Sequence, residues 1–189
     1  MNSIKELIAR YDHLKTQRDN WNSHYQELAD FMLPRKADVV KSRSKGDKRM
    51  ELIFDGTALQ AVDLLSSSLH GLLTSGAAPW FHLDMKDENI GRDDEVREWL
   101  QDTSQRMLRG FDQSNFGTEV HEMYVDLVVF GTGCMFVEME DDALRFSTRH
   151  ISEFYIQENQ FGMVDTVFRS YKSPVRQVVQ RFGIENVTD

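Results

Sequence analysis

Between residues 116 and 169 the apolar period of this chain changes from helical to alternating, and that change restricts the fold more than any other feature. Residues 118–129 suit a helix, which must end at Phe130-Gly131-Thr132-Gly133. Three strand-like segments follow, at 134–140, 144–148 and 163–172, with turn signals at Asp141-Asp142 and at residues 159–162. Helical segments dominate before this point and strand segments after it. The segregation predicts an α+β fold: a long amino-terminal helix and further helices packed with a small antiparallel β-meander at 133–172.

The long helix is predicted over residues 4–33. Ser3 followed by Glu6 has capping-box spacing, and Pro34 marks the far end. At the standard rise it reaches about 45 Å. Ile4, Leu7, Tyr11, Leu14, Arg18, Trp21, Tyr25, Leu28 and Met32 recur in steps of three and four, with Arg18 the one polar interruption. That seam suits either a core-facing stripe or a coiled-coil partner. Asp55 is a predicted cap for a second helix, whose expected buried face is Leu59, Val62, Leu65, Leu69, Leu72 and Leu73, with Gly76 near its end. A short strand is expected at 80–85. Asp93 or Asp94 starts a third helix through Val96, Trp99, Leu100, Met107, Leu108 and Phe111. Ser173 before Pro174 predicts a short helix at 175–182 closed by Gly183. Along the chain the expected regions are therefore 1–34 (long helix), 35–50 (basic flexible loop), 51–132 (helical part), 133–172 (β-meander) and 173–183 (short helix).

Charge is unevenly distributed. The formal net charge is -9, which argues against a general nucleic-acid coat. Residues 35–49 nevertheless hold Arg35, Lys36, Lys41, Arg43, Lys45, Lys48 and Arg49 against Asp38 and Asp47, a net +5 that leaves -14 elsewhere. Seven cations without an interleaved aromatic can neutralise phosphates but supply no stacking platform. Two readings stand for this segment: a solvated or subunit-contact loop, and a contact for nucleic acid or another anionic partner. The apolar window 58–79 contains Asp63, three consecutive serines and His70, which argues against a membrane span.

The motifs of catalysis are incomplete. Gly131-Thr132-Gly133 leads from helix to strand and has Phe136 where a dinucleotide fingerprint needs its third glycine. No glycine-rich loop ends in Gly-Lys-Ser or Gly-Lys-Thr. His121-Glu122 resembles the start of a zinc-protease helix, but Val125 stands where the second histidine is required. Cys134 is the only cysteine, so no internal disulfide is available. Its apolar strand context offers no activating helix terminus to pair it with His121 or His150. The acids between Asp84 and Glu95 lack calcium-loop spacing and read as a solvated turn. The chain is expected to be no enzyme and to hold no cofactor or metal.

Several strings in order resemble one family. They are Trp21 with Glu27-Leu28-Ala29-Asp30-Phe31-Met32-Leu33-Pro34, Phe54-Asp55-Gly56-Thr57-Ala58, Leu69-His70-Gly71-Leu72-Leu73 and Pro79-Trp80-Phe81-His82-Leu83. The series continues with Phe116-Gly117-Thr118-Glu119, Phe130-Gly131-Thr132-Gly133, Phe154-Tyr155-Ile156 and Gly162-Met163-Val164-Asp165-Thr166-Val167-Phe168-Arg169. Together they are similar to portal proteins, the head-to-tail connectors of T7-like short-tailed bacteriophages.

That resemblance implies a homo-oligomeric ring, typically of twelve subunits, at one capsid vertex of the virion after assembly in the host cytoplasm. Double-stranded DNA passes through its axial channel during packaging and ejection. The implied partners are terminase, the major capsid and scaffolding proteins and the tail proteins, with no membrane involved. This chain is similar to an amino-terminal, wing-like part, with the channel-lining stem and the clip expected beyond residue 189. A DNA-binding accessory protein using residues 35–49, and more remotely a cysteine or metal-dependent hydrolase, are the alternatives.

Overall fold

The computed structural model describes residues 3–44, 46–91, 93–140 and 143–186. Its contacts divide into two units, one made of residues up to Arg18 with those from Glu153 on, the other of Asp19–Ser152. Helix α1 (Ile4–Met32) contributes its first half to the former and its second half to the latter.

In the first unit α1 begins at the expected capping box, Ser3 N–H donating to Glu6 Oε2 at 3.1 Å and Glu6 N–H to Ser3 Oγ at 3.4 Å. A hairpin of β3 (Phe154–Glu158) and β4 (Val164–Arg169) lies against this half of the helix, with Phe154 opposite Arg169. Tyr11 meets Tyr155 edge-on at 5.2 Å. Arg18, the polar break in the seam, is accommodated because its guanidinium lies 4.1 Å from the Tyr155 ring centroid and donates to the Phe154 carbonyl at 2.5 Å. Arg10 straps the hairpin by donating to Gln157 Oε1 and Thr166 Oγ1. The turn at 159–162 forms as expected: Asn159 N–H reaches the Met163 carbonyl at 2.8 Å, and Gly162 takes φ +72°. Helix α6 (Val175–Phe182) is stopped by Gly183, and a 3-10 turn follows at Ile184–Asn186.

The second unit contains the 3-10 turn Pro34–Lys36, α2 (Thr57–Leu73), α3 (Glu88–Gly91), α4 (Asp94–Asp112), α5 (Phe116–Phe130), β1 (Cys134–Glu140) and β2 (Ala143–Arg149). Its core centres on α5, where Val120, Tyr124, Val125, Val129 and Phe130 are buried. Val62 and Ser66 of α2 pack on that helix. Trp80, Phe81, Phe111, Phe116 and Phe146 form one aromatic cluster, with Trp80 stacked on Phe116 at 5.6 Å and Phe116 against Phe146 at 5.1 Å. Asp93 caps α4 by accepting from Glu95 N–H.

The architecture is α+β, as expected, but the single meander is not. The strands pair as two separate two-stranded antiparallel sheets, β1 with β2 and β3 with β4, and β3 had no counterpart in the sequence reading. The outer edge of β2 is occupied by side chains rather than by another strand. Asn115 Nδ2 donates to the Phe146 carbonyl at 2.8 Å while its Oδ1 accepts Phe146 N–H at 2.9 Å, and Glu119 accepts Thr148 N–H at 2.6 Å. With those backbone groups satisfied, β2 has no edge left for a third strand. The Asp141-Asp142 turn lies outside the described residues.

Four local expectations are also corrected. Residues 80–85 form no strand, because Leu83 N–H is taken by Ser104 Oγ of α4 at 2.9 Å. Gly56, not Asp55, is the cap residue of α2, while Asp55 braces Thr57 from one position earlier. Pro174 rather than Ser173 is the cap residue of α6. The buried line of α2 runs through Val62 and Ser66, leaving Leu65, Leu72 and Leu73 at least half exposed.

Candidate interaction surface of the basic segment

The carboxy-terminal half of α1 carries Gln26 and Asp30 one helical turn apart, so both face the chain that returns after Pro34. Both are buried. Gln26 grips the returning backbone: its Nε2 donates to the Ala37 carbonyl at 2.6 Å and to Asp30 Oδ1 at 3.0 Å, and its Oε1 accepts Val40 N–H and Lys41 N–H at 2.8 and 3.0 Å. Asp30 then gathers the cations. Arg43 Nη2 approaches its Oδ1 at 2.8 Å, and Lys41 Nζ its Oδ2 at 2.8 Å. Burial alone pushes the Asp30 carboxyl up, but hydrogen bonds from Lys41, Arg43 and Gln26 outweigh it and hold the group below its ordinary value.

Asp38 forms the next link, accepting from Arg49 at 2.7 Å and from Arg43 at 3.3 Å. The Arg49 hydrogen bond lowers its carboxyl further than burial raises it. Arg43, hydrogen-bonded to Asp30 first and Asp38 second, is held still more firmly in its charged form.

At the start of the segment, Arg35 and Lys36 reach α5. Arg35 pairs with Glu122 at 2.9 Å, and Lys36 Nζ lies 3.0 Å from Glu122 and 2.7 Å from Asp126. The two carboxyls respond in opposite directions. Burial raises Glu122, yet Arg35 and Lys36 together bring it below its ordinary value. Asp126 is more deeply enclosed and its Oδ2 is buried without a hydrogen-bond partner, so burial dominates and raises it despite Lys36. His150 Nε2 lies 2.8 Å from the Lys36 carbonyl, fixing the same turn from the far side.

Of the seven predicted cations, Arg35, Lys36, Lys41, Arg43 and Arg49 are thus each paired with a carboxylate of this chain. Lys48 is exposed, and Lys45 lies outside the described residues. The acids that meet them, Asp30, Glu122 and Asp126, were missed by sequence reasoning. The only available signal was i,i+4 spacing, Gln26 with Asp30 and Glu122 with Asp126. Of the residues weighed for catalysis, His121 and His70 do meet, their rings edge-on at 5.9 Å, whereas Cys134 lies half-buried on β1 and Glu122 is committed to Arg35 and Lys36. Among the described residues no three His, Cys, Asp or Glu side chains are grouped to hold a metal, and no helix is long and apolar enough to cross a membrane.

A family model described as bacteriophage head to tail connecting protein matches residues 4–189. The chain belongs to that family. Two curated relatives agree: the chain is 33% identical over 181 residues to the probable portal protein of Bordetella phage BPP-1, and 35% identical over 186 residues to the portal protein of Salmonella phage epsilon15. These matches cover 95% and 97% of this chain but only 33% and 34% of the relatives, so the chain spans about a third of their length. The head-to-tail connector family is structural rather than enzymatic, in accord with the incomplete catalytic motifs.

Proposed function

We propose that this chain is the amino-terminal, wing-like part of a portal subunit. In this reading identical subunits form a ring, expected to be twelvefold, at one vertex of the capsid. DNA enters and leaves through its channel, terminase and tail proteins dock on it, and the surrounding shell and scaffolding proteins hold it. The observation that carries the reading is the head-to-tail connector match over residues 4–189, joined by relatives named as portal proteins from two phages. The pairs of Arg43 with Asp30 and of Lys36 with Glu122 and Asp126 tie α1, the returning segment and α5 together where they are partly shielded from salt, which suits a structural role.

The same brace disfavours the accessory DNA-binding reading. To meet phosphate, Arg43 or Lys36 must first leave a buried carboxylate, and that costs several kcal/mol. The acidic remainder of the chain repels DNA as well. Imaging the complete protein, alone and in virions, tests the proposal: closed rings with an axial opening, and the protein at one capsid vertex, are expected. Monomers together with absence from virions would overturn it, and retention on DNA that falls steeply with salt would favour the accessory reading instead.

A further inference from the structure

A zinc-protease helix is ruled out because Val125 stands one turn past His121, where a second imidazole is needed. Folding supplies that imidazole from another element. His70, in the last turn of α2, and His121, on α5, meet edge-on with ring centroids 5.9 Å apart and planes at 68°. The two helices pack on each other within one unit, so the pair bridges a fixed junction. Both side chains are half-buried, which leaves an ion a way in from solvent. Metal–nitrogen bonds of about 2.1 Å place the centroids of two imidazoles on one ion about 5 Å apart at the tetrahedral angle, and about 6 Å apart at a wider one. The observed separation lies inside that span.

A plain ring contact also fits that distance, and the hydrogen bonding separates the two readings. His70 Nδ1 lies 3.0 Å from Thr74 Oγ1, and that hydroxyl lies 3.3 Å from Oη of the buried Tyr124. Among the described residues no hydrogen bond engages His70 Nε2 or either nitrogen of His121. A ligating histidine has this pattern, one nitrogen tied to an orienting partner and the other open. For His70 to ligate, its Nδ1–H donates to Thr74 Oγ1, the Thr74 hydroxyl proton turns to Tyr124 Oη, and the Nε2 lone pair is free. Glu122, next to His121, is held by Arg35 and Lys36 and is no ligand. A donor set of imidazole without carboxylate suits zinc, copper and nickel, not magnesium or calcium.

We propose that His70 and His121 form a two-imidazole site for an imidazole-preferring divalent transition ion, zinc foremost, which pins the end of α2 to α5. Two protein nitrogens leave the other coordination positions to water, so the ion staples two packed helices without creating a closed structural centre. The site goes beyond the portal reading and does not depend on it.

The test is made on the complete, untagged protein, treated with diethyl pyrocarbonate with and without millimolar zinc chloride, the rate at each histidine being followed by mass spectrometry. Zinc is expected to slow modification of His70 and His121 by at least about fivefold while His13 and His24, exposed on α1, react as before. Magnesium chloride should protect none of them. A shared ion also requires that His121→Gln abolish the protection of His70, and His70→Gln that of His121, with circular dichroism confirming the fold. Unchanged rates at His70 and His121 in wild type would overturn the site, as would equal slowing at His13 and His24. Protection of one histidine that survives replacement of the other would overturn it too, because each would then bind singly. The wild-type comparison needs no variant, so it decides even where a substitution unfolds α2. None of these failures touches the portal reading, which is read from rings.

Discussion

Replacing Asp30 by Asn tests the brace at its most connected point. Asn keeps the shape and can still accept from Gln26, so the substitution removes charge with little change in packing. Arg43 loses its closest ionic partner at 2.8 Å, in a site where the two side chains are 18% and 7% exposed. A hydrogen bond to a charged group in such a place contributes about 1.5–3 kcal/mol. The Lys41 pair adds at most about 1 kcal/mol, because Lys41 is more than half exposed and rehydrates. Arg43 retains the Ala37 carbonyl at 2.8 Å and Asp38 at 3.3 Å, so the total falls at the low end of the range for a broken buried pair, about 3 kcal/mol. That lowers the melting temperature by roughly 10 °C. The pH dependence has a definite sign. The folded Asp30 carboxyl is held below its ordinary value, so its stabilisation is complete above that value and disappears as pH falls through the folded one. Urea unfolding of wild type and Asp30→Asn, followed by circular dichroism from pH 7 towards pH 3, should show a difference that is constant near neutrality and shrinks below about pH 4. A loss under about 1 kcal/mol at pH 7, or one that ignores pH, would refute the reasoning.

Four further variants test other points of the structure. Asp126→Asn should cost clearly less than Asp30→Asn, about 1 kcal/mol or below, because Lys36 keeps Glu122 at 3.0 Å and a costly buried charge is removed. Its pH sign is reversed: a raised folded value means that the penalty of the charge is relieved as pH falls, so wild type gains on the variant in acid, readable in the same urea series. Asn115→Ala should cost about 2–4 kcal/mol, since Phe146 is buried and both its backbone groups lose their partner; hydrogen exchange at Phe146 should accelerate. Gly133→Ala should destabilise by about 1–3 kcal/mol, because a Cβ there would stand 2.8 Å from Met123 Cγ and 3.1 Å from its carbonyl oxygen. Gly131→Ala should cost nearer 1 kcal/mol, for φ +71° alone; thermal melts of the two variants separate steric clash from backbone strain.

Features set by near neighbours were legible in the sequence. The Ser3–Glu6 capping box, the α4 start at Asp93 or Asp94, the end of α5 at Phe130-Gly131 and the stop at Gly183 each depend on a few adjacent residues, and each was found where expected. Strand pairing was legible for β1 with β2, neighbours in sequence, but not for the sheet as a whole. Alternation marks segments as extended without saying which edges meet, and the edge of β2 was filled by Asn115 and Glu119, two polar side chains with no strand signature. The buried face of α2 was misplaced because leucines occupy more of that helix than its unit can cover, so periodicity alone could not choose between faces. The basic segment was visible as charge, but its partners lie up to 90 residues away, Lys36 against Asp126. Sequence reading saw the cations and missed the carboxylates that hold them. The corner at Gly131-Thr132-Gly133 was read as architecture, and the contact of Gly133 with Met123 gives that reading its steric cause.

The central claim is that this chain belongs to a ring-forming portal subunit. Electron cryomicroscopy of the complete protein tests it most directly: the account predicts closed rings with an axial opening, in which the density of residues 4–186 lies at the periphery. A monomer under all ring-forming conditions, or rings whose channel wall is built from these residues, would contradict it.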